Sequence, residues 1–285
     1  MSREPKAERY AACRRKKGVR LAAISIILVA LFVTMAVAGC SQKPAAEKSA
    51  LEEIKEKGVL VVGTSADYPP FEYTDEKGEY VGFDMDLIRA IGEKLGVKVE
   101  IQDMSFESLT QAVKDGKIDA AIACMSATPD RLKEVDFTKP YYITKDAVLV
   151  RKDSTLNIGK LEDIYNLKIG VQTGTTQEDW VNEHIQSGEI KEANVSRYPR
   201  MDQAVLDLAS GRIDVALMDL PPAQKFVEAK PVRIALEAKM SEGDPGIAVK
   251  KGAKDLVDEL NRIIDQLTEE KVIEQLVQKH LSATE

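Results

Sequence analysis

Two apolar rhythms alternate along the chain. VLVVGTS, residues 59 to 65, is an unbroken β-branched run of strand length, the pattern of a strand buried on both faces. In GFDMDLIRAIGEKLG, from Gly82, the positions Met85, Ile88 and Ile91, with Leu87 and Leu95, recur at helical spacing, and Gly96 closes the turn. VKVEIQD predicts a second strand, FESLTQAVKDGK a second helix and IDAAIAC a third strand. Strands that alternate with helices in this way predict a parallel sheet with helices on its faces.

The rhythm restarts after the extended segment YYITKDAVLVRKD. LKIGVQTGTT reads as a strand ending in a Gly-Thr turn, QEDWVNEHIQSG as a helix, NVSRYP as a strand, MDQAVLDLASGR as a helix and IDVALMD as a strand. GKIDAAIACMS from Gly116 and GRIDVALMDLP from Gly211 therefore begin alike for an architectural reason. Gly-basic-Ile-Asp is the turn from a helix into a sheet strand, once in each of two domains. The strand carries the residues after it to the crevice where open α/β sheets bind ligands.

Composition departs from that of an ordinary globular protein only at the N-terminus. Residues 1 to 20 hold eight basic side chains against Glu4 and Glu8, and the uncharged run LAAISIILVALFVTMAVA follows, so residues 1–39 are expected to be a secretory signal. AVAGC, Ala36 to Cys40, resembles the lipobox of bacterial lipoproteins, which implies a diacylated Cys40 at the mature N-terminus; an uncleaved signal anchor is the alternative. Residues 40–50 read as a lipidated tether. Removal of the first 39 residues takes eight basic and two acidic groups from totals of 40 and 47, leaving a net charge of about −13. Nucleic acid and anionic lipid would repel such a body, so acyl chains rather than charge would hold it at the outer face of the cell membrane. Cys13 leaves with the signal and Cys40 takes the lipid, so Cys124 has no disulfide partner. His184 and His280 are solitary and predict neither a metal site nor a catalytic dyad, and no cofactor is expected.

The two strand ends differ in chemistry. MSATPDR offers the Ser126 and Thr128 hydroxyls and the Arg131 guanidinium, whose planar fork suits a carboxylate. GTT, Gly174 to Thr176, opens a helix, so its N–H groups and the Thr175 and Thr176 hydroxyls favour an anion. Asp219 ends an apolar strand before Pro221, where its carboxylate can receive an ammonium. One cation, one anion and several hydroxyls around a single cleft suit a zwitterion.

DYPPFEY from Asp67, GFDMDL from Gly82, GKIDAAIACMSATPDR with VDFTKPYY, GVQTGTTQE from Gly170 and GRIDVALMD together resemble one family over nearly all of Leu51 to Leu281. It is the extracytoplasmic solute-binding proteins of polar amino-acid ABC transporters, bacterial solute-binding protein family 3. The resemblance implies an α/β, type II clamp of two lobes, each a mainly parallel sheet flanked by helices, joined by two hinge strands. Residues 51–146 plus 242–285 would form lobe 1 and residues 147–241 lobe 2. A ligand α-carboxylate would sit on Arg131, Thr176 and the region of Cys124 and Ser126, and its α-amino group on Asp219, Ser126 and the backbone at Cys124. Ser65, Tyr68, Phe71, Phe106, Met125, Gln172 and Met218 would line the pocket, with Tyr68 and Phe106 as flat walls.

Family members that take basic side chains usually carry a carboxylate where this chain has Ser65. A neutral polar or moderately apolar amino acid is therefore preferred, with arginine left open through Glu72, Asp67 or Glu107. GDPGIAV from Gly243 also departs from the family, in which an aromatic often precedes the Gly-Ile. The expected partners are a free amino acid, the permease and ATPase of an ABC importer and the membrane through the lipid; a monomer is expected. The rival is an enzyme on the same fold that dehydrates prephenate or arogenate. Such an enzyme needs a general acid, and Gln172 and Met218 are uncharged, so a binding protein without catalysis is preferred.

Overall fold

The structure is a computed structural model that describes residues 48–240 and 243–281. The predicted signal, Cys40, most of the tether and Glu242 lie outside the described residues. The body opens with helix α1 (Ala50–Lys57), which has a reciprocal cap: Ser49 Oγ accepts the Glu52 N–H, and the Glu52 carboxylate accepts the Ser49 N–H. There follow β1 (Val59–Thr64), a ribbon of β2 (Asp67–Tyr68), β3 (Glu72–Thr74) and β4 (Tyr80–Val81), then α2 (Phe83–Leu95), β5 (Lys98–Asp103), α3 (Phe106–Lys114), β6 (Ala120–Ala121), α4 (Arg131–Glu134) and β7 (Val135–Phe137). Next come β8 (Asp146–Arg151), β9 (Ile169–Gln172), α5 (Thr176–Gln186), β10 (Val195–Tyr198), α6 (Met201–Ala209), β11 (Val215–Asp219), α7 (Leu220–Ala229) and β12 (Val232–Ala238). The chain then forms β13 (Ala248–Lys250), α8 (Lys254–Glu269) and α9 (Val272–His280).

Two five-stranded sheets form, in the orders β5-β1-β6-β13-β7 and β10-β9-β11-β8-β12. In the first, β1 runs parallel to β5 and β6 while β13 is antiparallel to both neighbours. In the second, β9 runs parallel to β10 and β11 while β8 is antiparallel to both of its neighbours. Each sheet thus has four strands in one direction and one opposed strand, in the fourth place. The opposed strand is in each case the first to enter its sheet after the chain has built a strand of the other. Arriving from the far sheet at the end where the other strands finish, it has to run against them.

The Gly-basic-Ile-Asp repeat has one structural meaning in both copies. Gly116 and Gly211 take φ values of 69° and 77° and end their helices. Ile118 and Ile213 lie on a strand glycine: a Cβ on Gly63 or on Gly170 would come within 2.4 Å of the isoleucine Cδ1. Asp119 and Asp214 then accept the N–H of Val61 at 2.9 Å and of Lys168 at 2.8 Å, clipping the new strand to its neighbour.

Packing follows the sequence pattern. Helix α8 buries Leu256, Leu260, Ile263, Ile264 and Leu267 along one face, each contributing about 1.5–3 kcal/mol as an upper figure. Truncation of Leu260, fully buried, to alanine is expected to cost about 2–5 kcal/mol.

Candidate ligand-binding site

The carboxyl ends of β1, β9 and β11, the segment after β6 and the start of α5 converge on one cavity, whose empty space, with the open solvent at its mouth, is about 360 Å³. It is lined by Ser65, Tyr68, Glu72, Phe106, Ala123, Cys124, Ser126, Arg131, Gln172, Thr175, Thr176, Gln177 and Asp219. Ten of the thirteen residues expected around the ligand from sequence are therefore brought together. Phe71, Met125 and Met218 are not among them. Phe71 is fully buried against Phe83 and Tyr142, at ring distances of 6.0 and 5.5 Å, and Met125 packs in the core with Leu109 and Val135. Each stands next to cavity residues, Phe71 in the turn before Glu72 and Met125 between Cys124 and Ser126, but the chain there turns its side chain into the core. Met218, the residue before Asp219 in β11, faces the other side of its strand and is buried in the core.

Arg131 opens α4 and reaches over the cavity. Its Nη1 donates to the Ser126 carbonyl at 2.7 Å and its Nη2 to the Gly174 carbonyl at 2.8 Å, so it already ties the two sheets together. The guanidinium stands 5.2 Å from the Phe106 ring centroid. Burial pulls its pKa down to about 10, opposed by the charges of Asp179 and Asp219, so it stays cationic at neutral pH. Asp219, at the end of β11, receives the Tyr68 hydroxyl at 2.7 Å and donates its own N–H back to the phenol oxygen at 2.8 Å. Burial, and after it the charge of Asp146, pushes the Asp219 carboxyl up to about 7.

The start of α5 differs from expectation. Thr175 is its N-cap: the hydroxyl accepts the Glu178 N–H at 3.2 Å and donates to the Gln172 carbonyl at 2.7 Å. The Gly174 N–H, expected to face an anion, is taken by the Glu178 carboxylate at 2.6 Å. Gly174 itself has φ 80° and lies so close to the second lining helix that a Cβ would meet Glu107 Cα at 3.0 Å. Gln172 reaches toward Asp67 and the Pro199 carbonyl.

Cys124 sits at φ 45°, a strained value for a non-glycine residue, with its N–H held by Asp84 Oδ2 at 2.7 Å. Burial, reinforced by Asp219 and Asp84, pushes its thiol well above the ordinary range, so it is a small packing group and no nucleophile. Among the three acidic residues left open for a cationic ligand, Asp67 is engaged by Ser65 Oγ and the Met201 N–H, and Glu107 is exposed. Glu72 is fully buried in the cavity wall, and neither of its carboxyl oxygens meets a donor. Ala123 and Gln177 were not expected from sequence. Gln177 was legible only as the residue after the Gly-Thr turn, the second residue of a helix whose start faces the cavity.

Pro245, where the family pattern has an aromatic, pairs with Ser126 in an isolated bridge, flanked by a 3.0 Å bond from the Gly246 N–H to the Met125 carbonyl. His184 packs on Trp180 with ring centroids 4.1 Å apart, and His280 bonds Asp86 at 2.8 Å. Among the described residues no cluster of His, Cys, Asp and Glu is placed to hold a metal ion, and no helix is long and apolar enough to cross a membrane.

Comparison with known proteins gives this geometry its context. The arginine-binding extracellular protein ArtP of Bacillus subtilis is 32% identical over 257 residues, 89% of this chain and 96% of that protein. A solved structure of an ancestral arginine-binding protein bound to arginine superposes with a TM-score of 0.74 at 37% identity, covering 79% of this chain and 99% of that one. The ancestral amino acid-binding protein AncCDT-1, a precursor of cyclohexadienyl dehydratase, gives a TM-score of 0.74 at 32% identity, covering 82% of this chain and all of that one. A two-lobed α/β fold with a cleft between two crossed-over sheets is what these share, and the profile of one family matches residues 60–283. The chain belongs to the bacterial extracellular solute-binding proteins, family 3.

Proposed function

We propose that the protein is the extracytoplasmic receptor of an ABC importer and that its ligand is a free amino acid with a cationic side chain, namely arginine. The observation that carries this reading is the charge layout of one cavity. Arg131 stands ready for an α-carboxylate, Asp219 for an α-ammonium, and the buried carboxyl of Glu72 lies in the wall without a donor. A buried carboxyl with no partner costs several kcal/mol unless it is protonated or met by a cation. Glu72 thus supplies, from another position, the carboxylate missing at Ser65, which turns the preference from neutral to cationic side chains. Similarity to arginine-binding proteins supports the same choice.

In this reading residues 51–146 plus 242–285 and residues 147–241 are the two lobes, closing on the ligand about their crossings. Cys40 carries the lipid that keeps a monomeric receptor near its permease. Tyr68 and Phe106 stack on the aliphatic part of the ligand, Ser126, Thr176 and the Cys124 backbone complete the α-carboxylate and α-amino shell, and Ser65 and Gln172 flank the side chain.

A second reading has one observation in its favour: Glu72 and Asp219 are carboxyls held up by burial, the type of group a dehydratase uses as general acid. Thermal-shift screening against the twenty amino acids, prephenate and arogenate separates the two. Arginine at about 100 times its dissociation constant should stabilise the fold by about 2.7 kcal/mol, and neither cyclic acid should be turned over. Turnover of prephenate or arogenate, or no response to arginine, would overturn the proposal.

A further inference from the structure

We propose that Glu72 and Asp84 form a carboxyl pair holding a single proton, and that Asp84, outside the cavity, thereby sets which side-chain charge the cleft accepts. With the proton in place the outward oxygen of Glu72 is a neutral acceptor for an amide or ureido N–H. When the proton leaves to solvent, the pair receives a guanidinium. One cation enters as one proton departs, so the buried charge does not change. The inference rests on the arginine reading.

The geometry is tightly fixed. Glu72 begins β3 and Asp84 is the second residue of α2, and both are fully buried. The Asp84 N–H bonds the carbonyl of Phe71, the residue before Glu72, at 2.9 Å, and the Phe83 N–H bonds the Pro70 carbonyl at 2.9 Å. Gly82, at φ 123°, lets the helix approach: a Cβ there would lie 2.3 Å from the Phe71 carbonyl oxygen. Asp84 Oδ2 takes the Cys124 N–H at 2.7 Å and the Tyr141 hydroxyl at 2.9 Å, while Asp84 Oδ1 and both Glu72 oxygens meet no protein donor. Each carboxyl is an acidic neighbour of the other in a buried site, and a single proton shared between them relieves both the burial of two charges and their repulsion.

The surrounding charges favour the protonated pair in the empty cleft. Asp67 and Asp219 face Glu72 as acids, with the Cys124 thiol and Tyr141 hydroxyl as neutral neighbours. Arg200 pairs with Asp67 and Asp103, and the Arg131 guanidinium is engaged by Ser126 and Gly174. Among the described residues no lysine or arginine pairs with Glu72 or Asp84. Burial first, and then the neighbouring acids, hold Glu72 well above the usual carboxylate range, and burial holds Asp84 at about 6.

The test is calorimetric titration of the protein with L-arginine and with L-citrulline, its uncharged ureido analogue, at about pH 6 in two buffers of different ionisation enthalpy. Proton release from Asp219 is common to both ligands, so their difference counts the proton of the pair. Arginine should release about one proton more than citrulline, and its affinity relative to citrulline should fall by roughly tenfold per pH unit as the pair becomes protonated. Asp84→Asn keeps an acceptor for Cys124 and Tyr141 and turns an amide donor to Glu72, so arginine should still bind while the excess proton disappears. Glu72→Gln should lose at least about tenfold in arginine affinity and keep citrulline within a few fold. Arginine bound by the unaltered protein without excess proton release would overturn the linkage alone, whether or not the variants fold. An excess that survives in Asp84→Asn would overturn the role of Asp84. Absence of arginine binding to the unaltered protein would overturn the ligand assignment and the linkage with it.

Discussion

Tyr68 and Asp219, 151 residues apart, hold each other twice: the phenol gives its proton to Asp219 Oδ2 at 2.7 Å and takes the Asp219 N–H at 2.8 Å. One belongs to the ribbon beside the first sheet and the other ends a strand of the second, so this exchange closes the cleft where an α-ammonium would enter. Tyr68→Phe keeps the flat wall and removes both bonds. The empty protein should then spend more time open. Small-angle scattering should give a larger radius of gyration for the empty variant than for the empty parent, with the two converging on saturation with ligand. Equal values when empty would show that other contacts hold the lobes.

Arg131 and Asp219 should divide the ligand's charges between them. Loss of a charge-assisted contact removes roughly 1.5–3 kcal/mol, and leaves the opposite charge buried and unpaired. Arg131→Ala and Asp219→Ala should each weaken binding by about tenfold to a hundredfold or more. The Arg131 variant should lose discrimination against an α-amidated ligand, and the Asp219 variant against an N-acetylated one. Tight binding of either blocked form by the unaltered protein would remove the zwitterion clamp.

Gly174, after β9, lies close against Glu107 at the start of α3. A methyl group there would meet Glu107 Cα and Cβ, both at 3.0 Å, on a backbone with φ 80°. Gly174→Ala adds about 1 kcal/mol of backbone strain and wedges the closed form while leaving the cores intact. Ligand affinity should fall by tenfold or more with little change in the unfolding midpoint in the absence of ligand. Unchanged affinity would mean that closure does not bring these segments together.

The raised carboxyls make the empty protein an acid-favouring fold. Asp219 stands at about 7 and Asp84 at about 6, both through burial first. A carboxyl easier to protonate when folded contributes stability that is complete below its unfolded value and is lost as pH rises through its folded value. The unfolding midpoint without ligand should therefore fall as pH rises from about 4 to about 7, and Asp219→Asn should flatten part of that fall. A midpoint that climbs across this window would contradict the assignment.

Cys40 should carry the anchor, since AVAGC follows a basic segment and an apolar run. Cys40→Ser should release the body from membranes or leave it unprocessed, as read by fractionation and by the mass of the mature N-terminus. Processing and fractionation like the parent's would remove the lipobox assignment.

The order of strands and helices was legible because each element carries its own period, and the repeat of Gly-basic-Ile-Asp was legible because its work is local. A glycine ends a helix, an isoleucine covers a strand glycine and an aspartate clips an N–H, all within one short segment and its neighbour. The placing of Arg131 and Asp219 at the cavity could be read for the same reason, Asp219 as the last residue of one such strand and Arg131 as the start of the helix after the other.

What the sequence could not decide depends on segments far apart. The opposed strands β8 and β13 enter each sheet from the other lobe, and nothing local in VRIALEA says that β12 pairs with β8 at the edge of the second sheet. Phe71 and Met125 look like pocket walls beside true ones, and only the direction of the chain at each position turns them into the core. Glu72, Asp67 and Glu107 are equivalent as letters. Asp67 is engaged by Ser65 and the start of α6, Glu107 faces water, and Glu72 alone is sealed in the wall with Asp84 behind it. Which of these carboxyls could meet a cationic side chain was decided there, because desolvation and proximity are properties of the folded chain, and no residue type carries them by itself.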